Sequence, residues 1–216
     1  MFDVPDLRAR LGQLLVGLVL VGIALALIVQ ADLGLDPWNV FHQGVSERID
    51  IGLGWVVILA SIVILLLWIP LRQRPGLGTI LNALLVGLSI EAGIAVLPTP
   101  SALAPRIAFL AAGILLNGVA IGLYIGAGLG PGPRDGLMTG LAARGHSVRV
   151  VRTAIELTAL VVGFALGGSV GIGTVLFAVT VGPIVHVTLP RFDRGPAPAS
   201  IEGTAVVPDL PGAGPG

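Results

Sequence analysis

From Leu11 to Gln30 the chain runs twenty residues without a charge: LGQLLVGLVLVGIALALIVQ. A helix needs about 20 predominantly apolar residues to cross a bilayer, and five more such stretches follow. Their boundaries read as 51–70, 76–97, 107–127, 149–167 and 170–190. The fifth is the weakest, with Arg149, Arg152 and Glu156 in its first turns. The sixth is rich in glycine and β-branched residues, a strand composition in water. In lipid, unpaired backbone groups are costly enough that helix is expected instead. Only 11% of the 216 residues are charged and 55% are hydrophobic, against about 25% charged in soluble domains. Too little polar surface exists to coat a water-soluble globule.

Charge placement sets an expected orientation. With a cytoplasmic N-terminus, the inner segments hold Arg8, Arg10, Arg72, Arg74, Arg134, Arg144, Arg149, Arg152, Arg191 and Arg194, leaving Arg48 and Arg106 outside. Both termini are therefore expected in the cytoplasm, in a multi-pass membrane protein. Val29-Gln30-Ala31 fits a signal-cleavage pattern. The leader's basic charge is balanced by Asp3 and Asp6, and a matching stretch recurs mid-chain, so the first span is read as retained. The end of the chain, from Gly195, is mostly proline, glycine, alanine and valine and carries no basic cluster or lipidation motif. It is expected to be a disordered cytoplasmic tail.

One sentence is written twice. ADLGLDPWNVFHQG (31–44) returns as AGLGPGPRDGLMTG (127–140), with Ala31, Leu33, Gly34, Pro37 and Gly44 matched by Ala127, Leu129, Gly130, Pro133 and Gly140. At the same offset Leu14, Gly17, Leu20, Gly22, Ala24 and Leu27 recur as Leu110, Gly113, Leu116, Gly118, Ala120 and Leu123. One residue of slippage later, Gly76, Gly78, Thr79 and Gly87 recur as Gly171, Gly173, Thr174 and Gly182. The fold expected is an all-α bundle of six transmembrane helices in two units. Residues 1–10 form a cytoplasmic N-terminus, 11–98 the first three-helix repeat, 107–190 the second, and 191–216 the tail. Three crossings per unit is odd, so the second unit enters upside down, an inverted-topology repeat common among secondary transporters. Each repeated loop opens a short helix, with Pro37 or Pro133 as first residue and Asp36 or Gly132 as cap. Trp38, Phe41 and Val45 fall on one side of the first. Whether these short helices lie on the interface or point their positive ends inward is open at this stage.

Gly118, Gly122, Gly126 and Gly130 make a stripe at four-residue spacing that lets another backbone approach closely. The expected partner is the first span, across the pseudo-twofold axis; a homodimer seam is the rival use.

With these motifs in hand, GLDPWNVFHQG followed by LLLWIPLRQRPGLGTILNALLVG resembles the YczE/YyaS/YitT group of bacterial integral membrane proteins, its YczE branch most. Gly34, Pro37, Trp38, His42, Gln43 and Gly44 carry the resemblance, then Pro70, Leu71, Arg72, Pro75, Gly76, Gly78, Thr79 and Asn82, over roughly residues 10–190. The second copy departs, with Gly-Pro-Arg-Asp in place of Asp-Pro-Trp-Asn. The resemblance implies a polytopic membrane protein and carries no substrate or reaction with it.

Ionisable groups inside a span call for partners. Glu91 and its counterpart His186 are a candidate proton pathway with Asn82 and Asn117; the blander reading has both snorkelling to opposite interfaces. Arg152 and Glu156, one turn apart, are expected to pair. The short-helix starts supply Asp36, Trp38, Asn39, His42, Arg134 and Asp135, either as solute contacts or as solvated caps. With no cysteine and three scattered histidines there is no metal set. No hydrolase elbow or phosphate loop appears, no nucleic-acid-binding stripe, and no lysine for a Schiff base. No cofactor and no enzyme activity are expected. The partners expected are the lipid bilayer, a small-molecule or ion substrate, and a second copy of the chain. Two functions stand: a small secondary transporter or exporter, and a non-transporting accessory or regulatory scaffold.

Overall fold

The computed structural model describes residues 7–195. The tail expectation therefore lies, from residue 196 on, outside the described residues, as do residues 1–6. Eight α-helices and no strand are present among the described residues: α1 Leu7–Ala31, α2 Pro37–Ile49, α3 Leu53–Leu71, α4 Leu77–Val96, α5 Leu103–Gly126, α6 Pro133–Ala142, α7 Val148–Leu166 and α8 Ile172–Phe192. Five of them, α1, α3, α4, α5 and α8, are long and apolar enough to cross a membrane. The fifth expected span, α7, is a 19-residue helix but carries Arg149, Arg152 and Glu156 and falls outside that set.

Local chemistry sets the ends. Asp36 caps α2 by accepting the Asn39 N–H, Pro37 supplies the fixed φ of a first turn, and Asp50 closes the helix in the left-handed region. At the starts of α4 and α8 the Gly76 and Gly171 N–H groups each donate to a threonine hydroxyl three residues on, Thr79 and Thr174, both at 3.2 Å.

α1 and α5 pack on each other at the centre. α4 covers α1, α8 covers α5, α2 lies on α7, and α3 contacts α4 and α6. The apolar stretch of α1 is 61% buried inside the protein, whereas that of α8 is 11% buried, so α8 is peripheral. Its Val175 and Val179 join Leu66, Leu84, Val161 and Phe164 in an exposed apolar belt. A water-soluble monomer does not carry so extensive an apolar surface.

In lipid, helices associate through close packing rather than hydrophobic burial, and glycine supplies the closeness. Gly17 of α1 lies against Tyr124 of α5, and Gly113 of α5 against Ala24 and Ile28 of α1. These contacts are reciprocal at the offset of the sequence repeat. Gly34 and Gly130, both in the left-handed region (φ +104 and +114), repeat the pattern. The first packs on Gly171 and Thr174, the second on Gly76 and Thr79. Beside them Gly173 N–H donates to the Leu33 carbonyl and Gly78 N–H to the Leu129 carbonyl, each at 2.7 Å.

The glycine stripe has a different partner from the one expected. Gly118, Gly122 and Gly126 face Ile184, Thr188 and Phe192 of α8, not α1, and Thr188 Oγ1 donates to the Gly118 carbonyl at 3.0 Å. Gly113, which meets α1, and Gly118 are five residues apart, about 140° around a helix turning 100° per residue. The stripe thus points away from α1, and with α8 seated on it no face of it is left for a second copy. Gly130 lies beyond the helix and belongs to the loop.

Two arginines repeat the reciprocity. Arg10, only 8% exposed, donates to the Ala127 carbonyl at the end of α5 (3.0 Å) and to the carbonyls of Arg194 and Gly195 (2.5 and 2.8 Å). At the equivalent position Arg106 donates to the Ala31 carbonyl at the end of α1 (2.8 Å) and pairs with Asp32.

Candidate functional site

The starts of both short helices converge on one cavity of about 240 Å³. Asp36, Pro37, Trp38 and Asn39 of the first share its wall with Gly132, Pro133, Arg134 and Asp135 of the second. The remaining wall comes from the middles of long helices: Val21 and Leu25 of α1, Asn82 and Val86 of α4, Asn117 and Ile121 of α5, Phe177 and Val181 of α8. The short helices therefore aim their N-terminal ends inward. A helix N-terminus presents unpaired N–H groups and partial positive charge.

The two ends are treated differently. Asp36 is 6% exposed, and its carboxylate accepts the Asn39 side-chain amide at 2.5 Å and the Asn39 N–H at 3.4 Å. At α6 the cap is Gly132, which has no side chain to offer. Arg134, in the first turn of α6, reaches across to Asp36 at 3.9 Å and lies 5.4 Å over the Trp38 ring, a cation–π distance. It makes no hydrogen bond among the described residues. Beside it Asp135 accepts the Tyr124 hydroxyl at 3.0 Å. From α7, Arg152 and Glu156 enter as the pair expected from their spacing, 2.9 Å apart. Asn117 is 2% exposed, and its carboxamide oxygen has no partner among the described residues. Trp68 fixes α6 in place by donating its indole N–H to the Pro133 carbonyl at 3.1 Å.

His42 lies behind this wall, 1% exposed, its Nδ1 3.3 Å from the Asn39 carboxamide oxygen and its ring tilted against Trp38. Burial, and then the Arg134 guanidinium, hold its imidazole well below the usual histidine range. It is neutral at pH 7.

Of the residues singled out in the sequence, Asn82, Asn117, Asp36, Trp38, Asn39, Arg134, Asp135, Arg152 and Glu156 line the cavity, with His42 behind them. Glu91 and His186 do not. Glu91 Oε1 accepts the Gly54 N–H at 2.6 Å, capping α3 from the neighbouring α4 in place of the side chain that Gly52 lacks. His186 is exposed on α8. Tyr124 and the bare cap at Gly132 were not singled out for the site. Tyr124 stands where the first repeat has Ile28, so an added hydroxyl in one copy was the available signal.

Apolar helices with an exposed greasy belt, closed around a charge-lined cavity, define a multi-pass integral membrane protein. The chain belongs to the family described as DUF6198, a family of unknown function, which matches residues 8–190. It is 43% identical over 184 residues to a Haemophilus influenzae protein, covering 85% of this chain and 84% of that one. It is 33% identical over 178 residues to the Bacillus subtilis membrane protein YczE, covering 81% and 83%. With Bacillus subtilis YyaS the identity is 26% over 186 residues, covering 83% and 92%. The YczE/YyaS resemblance read from the motifs thus holds over most of the chain. No solved structure matches it.

Proposed function

We propose that the protein is a small secondary transporter or exporter whose two halves, α1–α4 and α5–α8, are inserted in opposite orientations. Both termini face the cytoplasm across the bacterial cytoplasmic membrane, and α7 completes the sixth crossing with Arg152 and Glu156 at the cavity. One observation carries the reading: the starts of both short helices and five carboxylate or guanidinium side chains, Asp36, Arg134, Asp135, Arg152 and Glu156, meet in one cavity. Discontinuous helices ending at a central site are how many transporters hold solutes. Charged groups in a span mark pathways rather than packing.

Reconstituted vesicles test this. A metabolite and ion screen is expected to find a solute that moves, and Glu156→Gln or Arg134→Gln is expected to reduce its flux at least tenfold. Flux unaffected by both changes refutes the site. A partner protein that co-purifies and is lost on changing Trp38 or Arg134, with no solute moving, replaces transport by the scaffold role. The orientation has its own test, helped by the absence of native cysteine. Single cysteines at Asp50 and Gly145, after the two short helices, are expected to label from opposite faces; labelling from one face removes the inverted arrangement.

A further inference from the structure

The cavity's charges do not cancel in pairs, and the remainder has a definite chemistry. Three carboxylates, Asp36, Asp135 and Glu156, face two guanidiniums, Arg134 and Arg152. Glu156 is engaged with Arg152 at 2.9 Å, and Asp36 is engaged by the Asn39 amide and N–H. Arg134 lies 3.9 Å from Asp36 and over the Trp38 ring, so its charge is paired while its side-chain N–H donors make no hydrogen bond among the described residues; Asp135 has a phenol but no cation in contact among them. They are adjacent in the first turn of α6, whose cap offers no side chain. Asn117, almost wholly buried in the same wall, adds an acceptor without a partner.

Resting on the transport reading for its purpose, we propose that the solute is a small zwitterion of the amino-acid class, carrying one carboxylate and one protonated amine. The carboxylate takes the Arg134 fork, a planar donor pair that matches it in a bidentate way, with the open start of α6 behind it. The ammonium takes Asp135 and the Asn117 oxygen. A simple acid placed there adds to a lining that already holds three carboxylates against two guanidiniums, and a simple amine leaves the Arg134 donors unfilled. The volume, about 240 Å³, is below the roughly 300–1,000 Å³ of pockets for drug-sized ligands. A free amino acid suits it better than a peptide.

Equilibrium binding to the purified full-length protein tests this without requiring transport. The probes are the twenty standard amino acids and, for any that binds, its deaminated acid and its decarboxylated amine. At least one amino acid is expected to bind saturably, with both single-charge analogues at least tenfold weaker. Arg134→Gln is expected to abolish that binding. Asp135→Asn is expected to bring the deaminated acid level with the amino acid, a gain that misfolding cannot produce. Equal binding of the acid or the amine to the native protein overturns the proposal, and so does binding of none of the twenty. Binding without flux in vesicles sinks transport and leaves the zwitterion site standing; Arg134-dependent flux of some other solute does the reverse.

Discussion

Replacing Arg10 with methionine is expected to destabilise the protein far more than the same change at Arg106, although the two occupy equivalent places. Arg10 is 8% exposed and is held by three carbonyls, with no carboxylate in contact among the described residues. Removing it strands the buried Ala127 carbonyl, at about 1–3 kcal/mol, and frees the part-buried Arg194 and Gly195 carbonyls to water, at about 0.5–1.5 kcal/mol each. Release of a guanidinium from a desolvated site, its Nε without a partner, offsets part of this, leaving about 2–4 kcal/mol net. Arg106 gives up a part-buried bond to the Ala31 carbonyl, at about 0.5–1.5 kcal/mol, and a pair with an Asp32 whose side chain is 65% exposed, which adds little, so Arg106→Met is expected to cost about 1 kcal/mol. Unfolding in mixed micelles, followed by tryptophan fluorescence, measures both. Equal losses at the two sites, or a loss below 1 kcal/mol at Arg10, refute the reasoning that burial separates them.

Gly136→Ala would drive a methyl group into the Trp68 ring, and with that ring tied to Pro133 the change is expected to cost about 1–3 kcal/mol and shift tryptophan emission. An unshifted spectrum at native stability contradicts the packing. Glu91→Ala is expected to lower stability by about 1 kcal/mol, as for other lost caps, with solute affinity unchanged; altered affinity would return Glu91 to the site. His42 is held neutral, its protonation pushed below the ordinary value of about 6.5. Folding therefore excludes a proton, so this contribution to stability is full above about pH 6.5 and declines as the pH falls. His42→Gln should flatten the fall in Tm between pH 7 and pH 5, and an undiminished fall would show that other groups drive it.

Much of this arrangement was legible in the residues themselves. Apolar run length picks out the five helices long and apolar enough to cross a membrane, with α7 the exception, and the doubled Gly-Pro loop announces the short helices after α1 and α5. The Arg152–Glu156 pair follows from spacing alone. What spacing cannot supply is the neighbour. A smooth glycine stripe specifies close approach, but whether α1 or α8 fills it depends on how far the stripe is rotated from the α1–α5 contact. Glu91 presented the same ambiguity, since a carboxylate within a helix reads identically whether it faces a cavity or the bare start of the next helix. Arg10 carried only its charge in the sequence; that it is buried against the ends of α5 and α8 is a property of chain ends meeting.

The two short helices start alike, on a proline after a loop glycine, but their caps differ. Asp36 closes the first helix start with its own oxygen, as a guest's carboxylate otherwise would, so that half is permanently self-occupied. Gly132 leaves the second without a side-chain cap, with Asp135 turned to the Tyr124 hydroxyl instead. On the proposed transport reading the expected stoichiometry is one guest per polypeptide, with Arg134 reaching over from the uncapped start toward the capped one.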